Sequence, residues 1–378
     1  MKRIDISLLF SVALLTFFGL FMIYDVSSYV AFRDFEDKYH YVKDQSIWVI
    51  LGFVGLLFFS NFNYRRLKLL ALPILFVALT LLILVFVPGV GIRVLGANRW
   101  IDTGIFVLQP AEFVKLALAI YLAAWFSNKE RGRLFAFLLL LGLILFLVIA
   151  EPDMGTTIVI LAEALAIYFL SGGRILYFAV LGPLLFLAGL FFVRISPYRT
   201  KRLEAFLNIN ESFESSSYHV KQILIALGSG GLMGVGLGNS LQKYAYLPES
   251  TTDSIFAIIA EELGFIGATF LILFYIFIVW RCFYIAMHAK DNFGKLLAGG
   301  ITTFLAIQTF INLAAQTALI PLTGIPLPFI SYGGSALIID LCSIGILLSI
   351  SSQSHDQGRL IPHKLARIKG RKQTQRAL

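Results

Sequence analysis

Ionisable side chains set within or beside long apolar stretches are the groups in this sequence with chemistry to offer. They fall into three clusters. Glu112 and Lys115 lie in Gln109-Pro-Ala-Glu-Phe-Val-Lys115, and Glu151 and Asp153 lie in Glu151-Pro-Asp-Met-Gly155. Asp253, Glu261 and Glu262 lie between Pro248 and Gly264. A charge at mid-bilayer costs about 2.5–3.5 kcal/mol on insertion scales, so each such group needs a partner or a polar cavity. Lys115 is placed for an ion pair with Asp153 or Glu112, as a structural strut or as part of a site. Glu261 and Glu262 suit structural hydrogen bonding. Asp253 follows a proline-anchored loop and two threonines at the start of a helical stretch. There it caps the helix, gaining from the dipole and staying ionised, and that does not preclude use as a base.

Other chemistries lack their signatures. The segment Gly228–Gly238 is glycine-rich but contains no Gly-x-Gly-x-x-Gly, and no Walker lysine follows it. His40, His219, His288, His355 and His363 are scattered, so no histidine metal site is expected. Cys282 and Cys342 sit far apart in apolar stretches and read as buried small hydrophobes.

The elements that must position these clusters are membrane helices. Of 378 residues, 58% are hydrophobic and 14% charged, with a mean hydropathy of +0.83. Soluble domains carry roughly 25% charged residues. The apolar runs do not alternate as barrel strands would, and a spanning helix needs about 20 such residues. The expected fold is an all-α polytopic membrane protein of about ten transmembrane helices. Spans are placed at 5–28, 46–60, 67–88, 110–127, 134–150, 155–171, 174–196, 253–286, 295–318 and 333–352. The first is read as an uncleaved helix behind Lys2 and Arg3. Residues 1–352 form one transmembrane domain, and 353–378 form a basic cytoplasmic tail.

Lys and Arg set the orientation. Lys2, Arg3, Arg65, Arg66, Lys68, Lys129, Arg131, Arg133, Arg174, Arg281, Lys290, Lys295 and the tail share one side, so both termini are cytoplasmic. The net charge of +9 is therefore a topology signal and not a nucleic-acid footprint. All three clusters then face outwards. One large extracytoplasmic loop, about 196–252, separates helices 7 and 8 and is too long for an idle connector. At its start Arg194, Tyr198 and Lys201 or Arg202 share a helical face, either a functional surface or interfacial anchors.

These stretches resemble the SEDS family (shape, elongation, division and sporulation), the RodA and FtsW membrane glycosyltransferases of cell-wall synthesis. The matches are Gly96-Ala-Asn-Arg-Trp-Ile101, Gln109 to Lys115, and Glu151-Pro-Asp-Met-Gly-Thr156. They continue with Tyr246-Leu-Pro-Glu-Ser-Thr-Thr-Asp253, Glu261-Glu-Leu-Gly264, and Pro321 through Ser335. Val87-Pro-Gly-Val-Gly91 and Gly236 through Lys243 lean towards the division type, FtsW; Thr323-Gly-Ile-Pro-Leu-Pro328 leans towards RodA. Three departures stand out: Ala111 for a usual serine, Glu151 for a glutamine and Ser254 for a phenylalanine. Glu151 adds charge beside Asp153, and Ser254 is expected to adjust packing only.

The resemblance implies polymerisation of lipid II into glycan strands, with Asp253 as general base and release of undecaprenyl pyrophosphate. It implies substrate contacts from Arg194, Arg199, Lys201, Arg202, Arg99, Lys115, Glu112, Asp153 and Glu249; were Asp253 dispensable, Glu249 would be the next candidate base. A divalent cation, Mg²⁺ or Mn²⁺, is a candidate helper, and a class B penicillin-binding transpeptidase (FtsI-like) with other division proteins are the implied partners. The implied location is the cell membrane, at the division septum. The alternative is a lipid II flippase. Transporters place binding residues near the midplane within inverted repeats, and no repeat is evident here.

Overall fold

The apolar runs become helices: α1 (Ile6–Phe35), α2 (His40–Asn61), α3 (Leu67–Leu84), α4 (Pro110–Phe126), α5 (Leu134–Ala150) and α6 (Met154–Leu170). After them come α7 (Pro197–Leu207), α8 (Ser215–Ser229), α9 (Ile255–Met287), α10 (Asn292–Gln316) and α11 (Gly334–His355). This computed structural model describes residues 4–94, 97–102, 104, 106–128, 133–174, 177, 182, 183, 189, 194, 197–207 and 215–355. Among them six helices are long and apolar enough to cross a membrane: α1, α2, α3 with its leading 3-10 turn, α9, α10 and α11. The shorter α5 and α6 are also apolar. The polytopic helical reading stands. The expected span 174–196 and the basic tail beyond His355 lie outside the described residues, isolated positions of the span apart.

Spans four, five and six fall within a residue of α4, α5 and α6. The first two helices run longer than expected, because polar ends (Ser27 to Phe35, and His40 to Gln45) continue the helix past its apolar stretch. A three-stranded antiparallel sheet was not anticipated. β1 (Gly91–Val94), β2 (Ala97–Asp102) and β3 (Val107–Leu108) pair in that order and carry Arg99 on the central strand. The expected large loop is also partly helical, holding α7 and α8.

Burial divides the bundle. On α5, Phe137, Leu141, Ile144 and Val148 are buried while Phe135, Leu139, Leu143 and Phe146 are exposed, so apolar side chains cover both faces. A helix apolar all round belongs in lipid. α10 and α11 are the most enclosed of the six long helices. α11 packs closely on α2 through small residues: a Cβ at Gly52 would stand 2.4 Å from Leu341 Cδ1, and one at Gly345 2.5 Å from the Leu56 carbonyl oxygen. Close backbone approach of this kind is how helices associate where lipid removes the hydrophobic drive.

The glycine-rich segment has a structural task. Gly264 interrupts α9 with φ 69° and ψ −172°, which leaves backbone groups without helical partners. The segment supplies them. Phe265 N donates to the Gly231 carbonyl (2.9 Å) and Ile266 N to Leu232 (3.2 Å), while Val235 N and Gly236 N donate to the carbonyls of Glu261 (3.0 Å) and Glu262 (3.1 Å). A Cβ at Gly264 would lie 2.2 Å from Gly234 N. Glu261 and Glu262 complete the seam as expected. Glu261 accepts from the hydroxyls of Ser229 and Ser240, and Glu262 from Ser240 N (3.2 Å) and Lys243 Nζ (3.2 Å). Lys243 also pairs with Asp25 on α1 (3.0 Å).

Gly264→Ala combines left-handed strain with overpacking and should cost about 2–4 kcal/mol. The expected result is a lower melting temperature and loss of monodispersity in detergent. Parental melting would show that the α9 break tolerates a side chain.

Candidate active site

Asp253 lies immediately before α9, and three consecutive carbonyls fix its backbone. The Thr251 carbonyl accepts from Tyr332 N (2.9 Å), and that of Thr252 from Ser331 Oγ. The Asp253 carbonyl accepts from Asn312 Nδ2 (3.0 Å) and from Gln316 Nε2. Asn312 also donates to the Ile325 carbonyl (2.8 Å), and Gln316 Oε1 accepts from Ala257 N (2.8 Å). The two amides stand one above the other on α10, four residues apart, with Gln308 a further turn back. All three are buried.

The capping expectation for Asp253 is corrected. The cap position is Ser254, which makes no side-chain cap bond. The Asp253 carboxylate instead accepts from Thr252 Oγ1 (3.0 Å). Ser254 does more than adjust packing, because its hydroxyl meets His219 Nε2 from α8 (2.7 Å). Asp253 is half-buried, and burial pushes its carboxyl pKa upwards instead of down. The Thr252 hydroxyl, then Arg202 and Arg99, pull the other way.

The cations divide into two groups. Arg202 Nη1 donates to the Leu322 carbonyl (2.9 Å) on the loop between α10 and α11. A Cβ placed on Gly324 would stand 3.8 Å from Asp253 Oδ2 and 3.9 Å from Arg202 Nη1, so the two charges meet across that glycine. Arg99 and Arg199 hold the α5–α6 turn, Arg99 through the carbonyls of Glu151 (3.0 Å) and Pro152 (2.5 Å), Arg199 through Ile149 (3.0 Å). Arg194 is exposed, and Lys201 belongs to α7 with its side chain outside the described residues.

Lys115 and Glu112 lie inside the bundle. They pair with each other at 2.7 Å, 1% and 2% exposed, and Lys115 Nζ also donates to Gln308 Oε1 (2.5 Å). Lys115 does not pair with Asp153. That buried carboxylate caps α6, accepting from Thr156 N (3.0 Å) and Thr156 Oγ1 (2.9 Å), with Gln109 Nε2 at 3.3 Å. Glu249 is exposed, its Oε2 3.0 Å from the same Thr252 Oγ1. Among the described residues no group of three or more His, Cys, Asp or Glu side chains is arranged to hold a metal ion.

Sequence reasoning missed Asn312, Gln316, Ser331, Thr252 and His219. The amides had a signal: polar residues at four-residue spacing inside an apolar span. His219 is buried enough for its pKa to fall to about 4, Arg202 adding to and Glu249 opposing the effect, so the ring is neutral near pH 7.

Glu151 carries a pH dependence. Burial, and then the Asp153 charge, raise its carboxyl from 4.5 to about 9 against the pull of Arg99. Its stabilising neutral form is fully present below pH 4.5, and stability is lost as pH rises through the folded value near 9. Glu151→Gln should therefore melt higher than the parent at neutral pH, and should show a shallower decline towards pH 9. Parallel melting curves across that range would contradict this burial.

The family model described as cell cycle protein, FtsW/RodA/SpoVE, matches residues 6–356. A protein of Trichlorobacter lovleyi described as probable peptidoglycan glycosyltransferase FtsW is 41% identical over 354 residues, 92% of this chain and 93% of that one. Stage V sporulation protein E of Bacillus subtilis is 40% identical over 357 residues, covering 93% and 97%. Among solved structures, one from work on polymerisation and crosslinking by a peptidoglycan synthase complex aligns with TM-score 0.75 at 25% identity, covering 94% of this chain and 100% of the other. The rod shape determining protein RodA of Thermus thermophilus, also solved as an aspartate-to-alanine variant, aligns with TM-score 0.68 at 26% identity, covering 94% and 99%. The chain thus belongs to the FtsW/RodA/SpoVE family, the SEDS proteins.

Proposed function

We propose that this protein is a peptidoglycan glycosyltransferase that polymerises lipid II at the outer face of the cell membrane. Family membership and the names of its relatives support the activity. The observation that carries the mechanism is a half-buried carboxylate, Asp253, with a fixed backbone and a guanidinium facing it across Gly324. A sugar hydroxyl is a poor nucleophile until it loses its proton. Asp253 takes that proton from the 4-hydroxyl of the acceptor's GlcNAc as the oxygen attacks C1 of the donor's MurNAc, with inversion. Burial raises the affinity of Asp253 for the proton, which moves a carboxylate base closer to its working pH.

The departing pyrophosphate needs positive charge where its own develops. Arg202 stands nearest the base, with Arg99 and Arg199 beside the α5–α6 turn. Arg194 and Lys201 on the approach to and along α7 extend this supply. A divalent cation is not given a site by the described residues, and no step here is routed through one.

We further infer a division-type role at the septum, with both termini cytoplasmic. The 40–41% relatives named above are an FtsW and a sporulation protein, whereas the RodA of Thermus thermophilus stands at 26%. The synthase-complex likeness supports a crosslinking partner, a class B penicillin-binding transpeptidase.

Asp253→Asn keeps the shape, the backbone ties and an acceptor for Thr252. It should insert and melt like the parent while strand formation from labelled lipid II falls about 10²–10⁴-fold. Robust polymerisation by that variant would remove Asp253 as base. A flippase predicts no glycan product from either protein.

A further inference from the structure

A base that accepts a proton in every turnover must discharge it before the next. Beside Asp253 lies an arrangement suited to that task. Thr252 Oγ1 stands 3.0 Å from Asp253 Oδ1 and 3.0 Å from Glu249 Oε2, and 3.3 Å from the Glu249 carbonyl oxygen. A hydroxyl has one hydrogen and two lone pairs. It cannot donate to both carboxylates together, so with both ionised one contact is oxygen against oxygen without a proton between them. One added proton resolves this: a carboxylic acid donates to the hydroxyl, and the hydroxyl donates to the other carboxylate. The spacing of the two acids thus fits a single shared proton.

The two ends of this bridge differ in access to water. Asp253 is half-buried and Glu249 is exposed. Glu249 takes the left-handed conformation, φ 49°, which a non-glycine residue adopts at a cost. Its carbonyl accepts from Thr252 N (3.2 Å) and Ser254 N (3.1 Å), and these bonds hold the turn so that the side chain returns over Thr252. The other charged or titratable groups near the bridge are Arg202 from α7, His219 from α8, Arg99 from β2 and, beside Glu249, Tyr41 from α2.

We propose that Thr252 relays the proton collected by Asp253 to Glu249, which passes it to solvent. This rests on the reading of Asp253 as the base. The Asp253 O–H bond breaks as its proton joins Thr252 Oγ1, while the original Thr252 O–H bond breaks as that proton joins Glu249 Oε2. The hydroxyl is regenerated, Asp253 is again a carboxylate, and Glu249 gives its proton to water. Water is the one co-reactant. Thr252 is a positioning residue that acts through Asp253 and need not touch the sugar.

The test uses the purified full-length protein with labelled lipid II, comparing Thr252→Val, Thr252→Ser and Glu249→Gln. Valine keeps the shape and removes the hydroxyl. The relay predicts that Thr252→Val lowers kcat about 10²-fold, the low end for a positioned proton carrier, with KM little changed. Serine should restore turnover. Added imidazole, a diffusible proton acceptor, should raise the kcat of Thr252→Val and of exposed Glu249→Gln without affecting the parent. Parental kcat in both variants, or a loss that neither serine nor imidazole relieves, overturns the relay. Asp253→Asn run alongside separates the two ideas. If it is inactive while Thr252→Val turns over normally, only the relay fails; if it polymerises, the base assignment fails first.

Discussion

Two amides on one buried helix face hold the centre of this protein in place. Asn312 and Gln316 both donate to the carbonyl of Asp253. Both are enclosed within an apolar span, where an amide left without a partner costs about 1–3 kcal/mol. The loop ahead of α9 therefore cannot move without breaking a bond to each of them. Because Asn312 reaches the Ile325 carbonyl as well, the same interaction joins α9, α10 and the loop that leads to α11. That loop in turn supplies Ser331 and Tyr332 to the carbonyls just before Asp253. A rigid backbone around a reacting carboxylate is what preorganised catalysis asks for.

Charge in the protein sorts by depth. Inside the bundle, Lys115 is spent on Glu112 and Gln308, and it also feels Asp340 and Glu163 from α11 and α6. The carboxylate oxygens of those last two make no hydrogen bond among the described residues. At the mouth, arginines fasten backbone carbonyls, which positions their guanidinium groups. The same side chains that staple the α5–α6 turn and the α10–α11 loop thus bring positive charge towards Asp253. Stability and electrostatics share residues here.

Much of this was legible in the sequence, for reasons that also explain what was not. Apolar runs such as 134–150 fix a helix by length and composition alone, and α5 occupies that range. The clusters at 151–153 and 248–264 follow from the cost of charge near lipid. Pairing is another matter. Whether Lys115 meets Glu112 or Asp153 depends on which helix ends approach, and Asp153 turned out to be consumed by its own helix cap. The α9 break at Gly264 is invisible to hydropathy because apolar residues continue on both sides. The strands around Arg99 are two to six residues long, too short for periodicity to register. Asn312 and Gln316 are polar residues in an apolar span, a readable sign, but their partner is a main-chain carbonyl far along the chain.

If the tied backbone is what makes Asp253 a working base, untying it should damage turnover and leave substrate capture alone. The direct measurement is kcat and KM for lipid II polymerisation by the Asn312→Leu, Gln316→Leu double variant, in detergent-purified protein of parental monodispersity. The expected result is a kcat at least about tenfold lower, as misplacement of a reacting group costs, with KM near that of the parent. A parental kcat would contradict it.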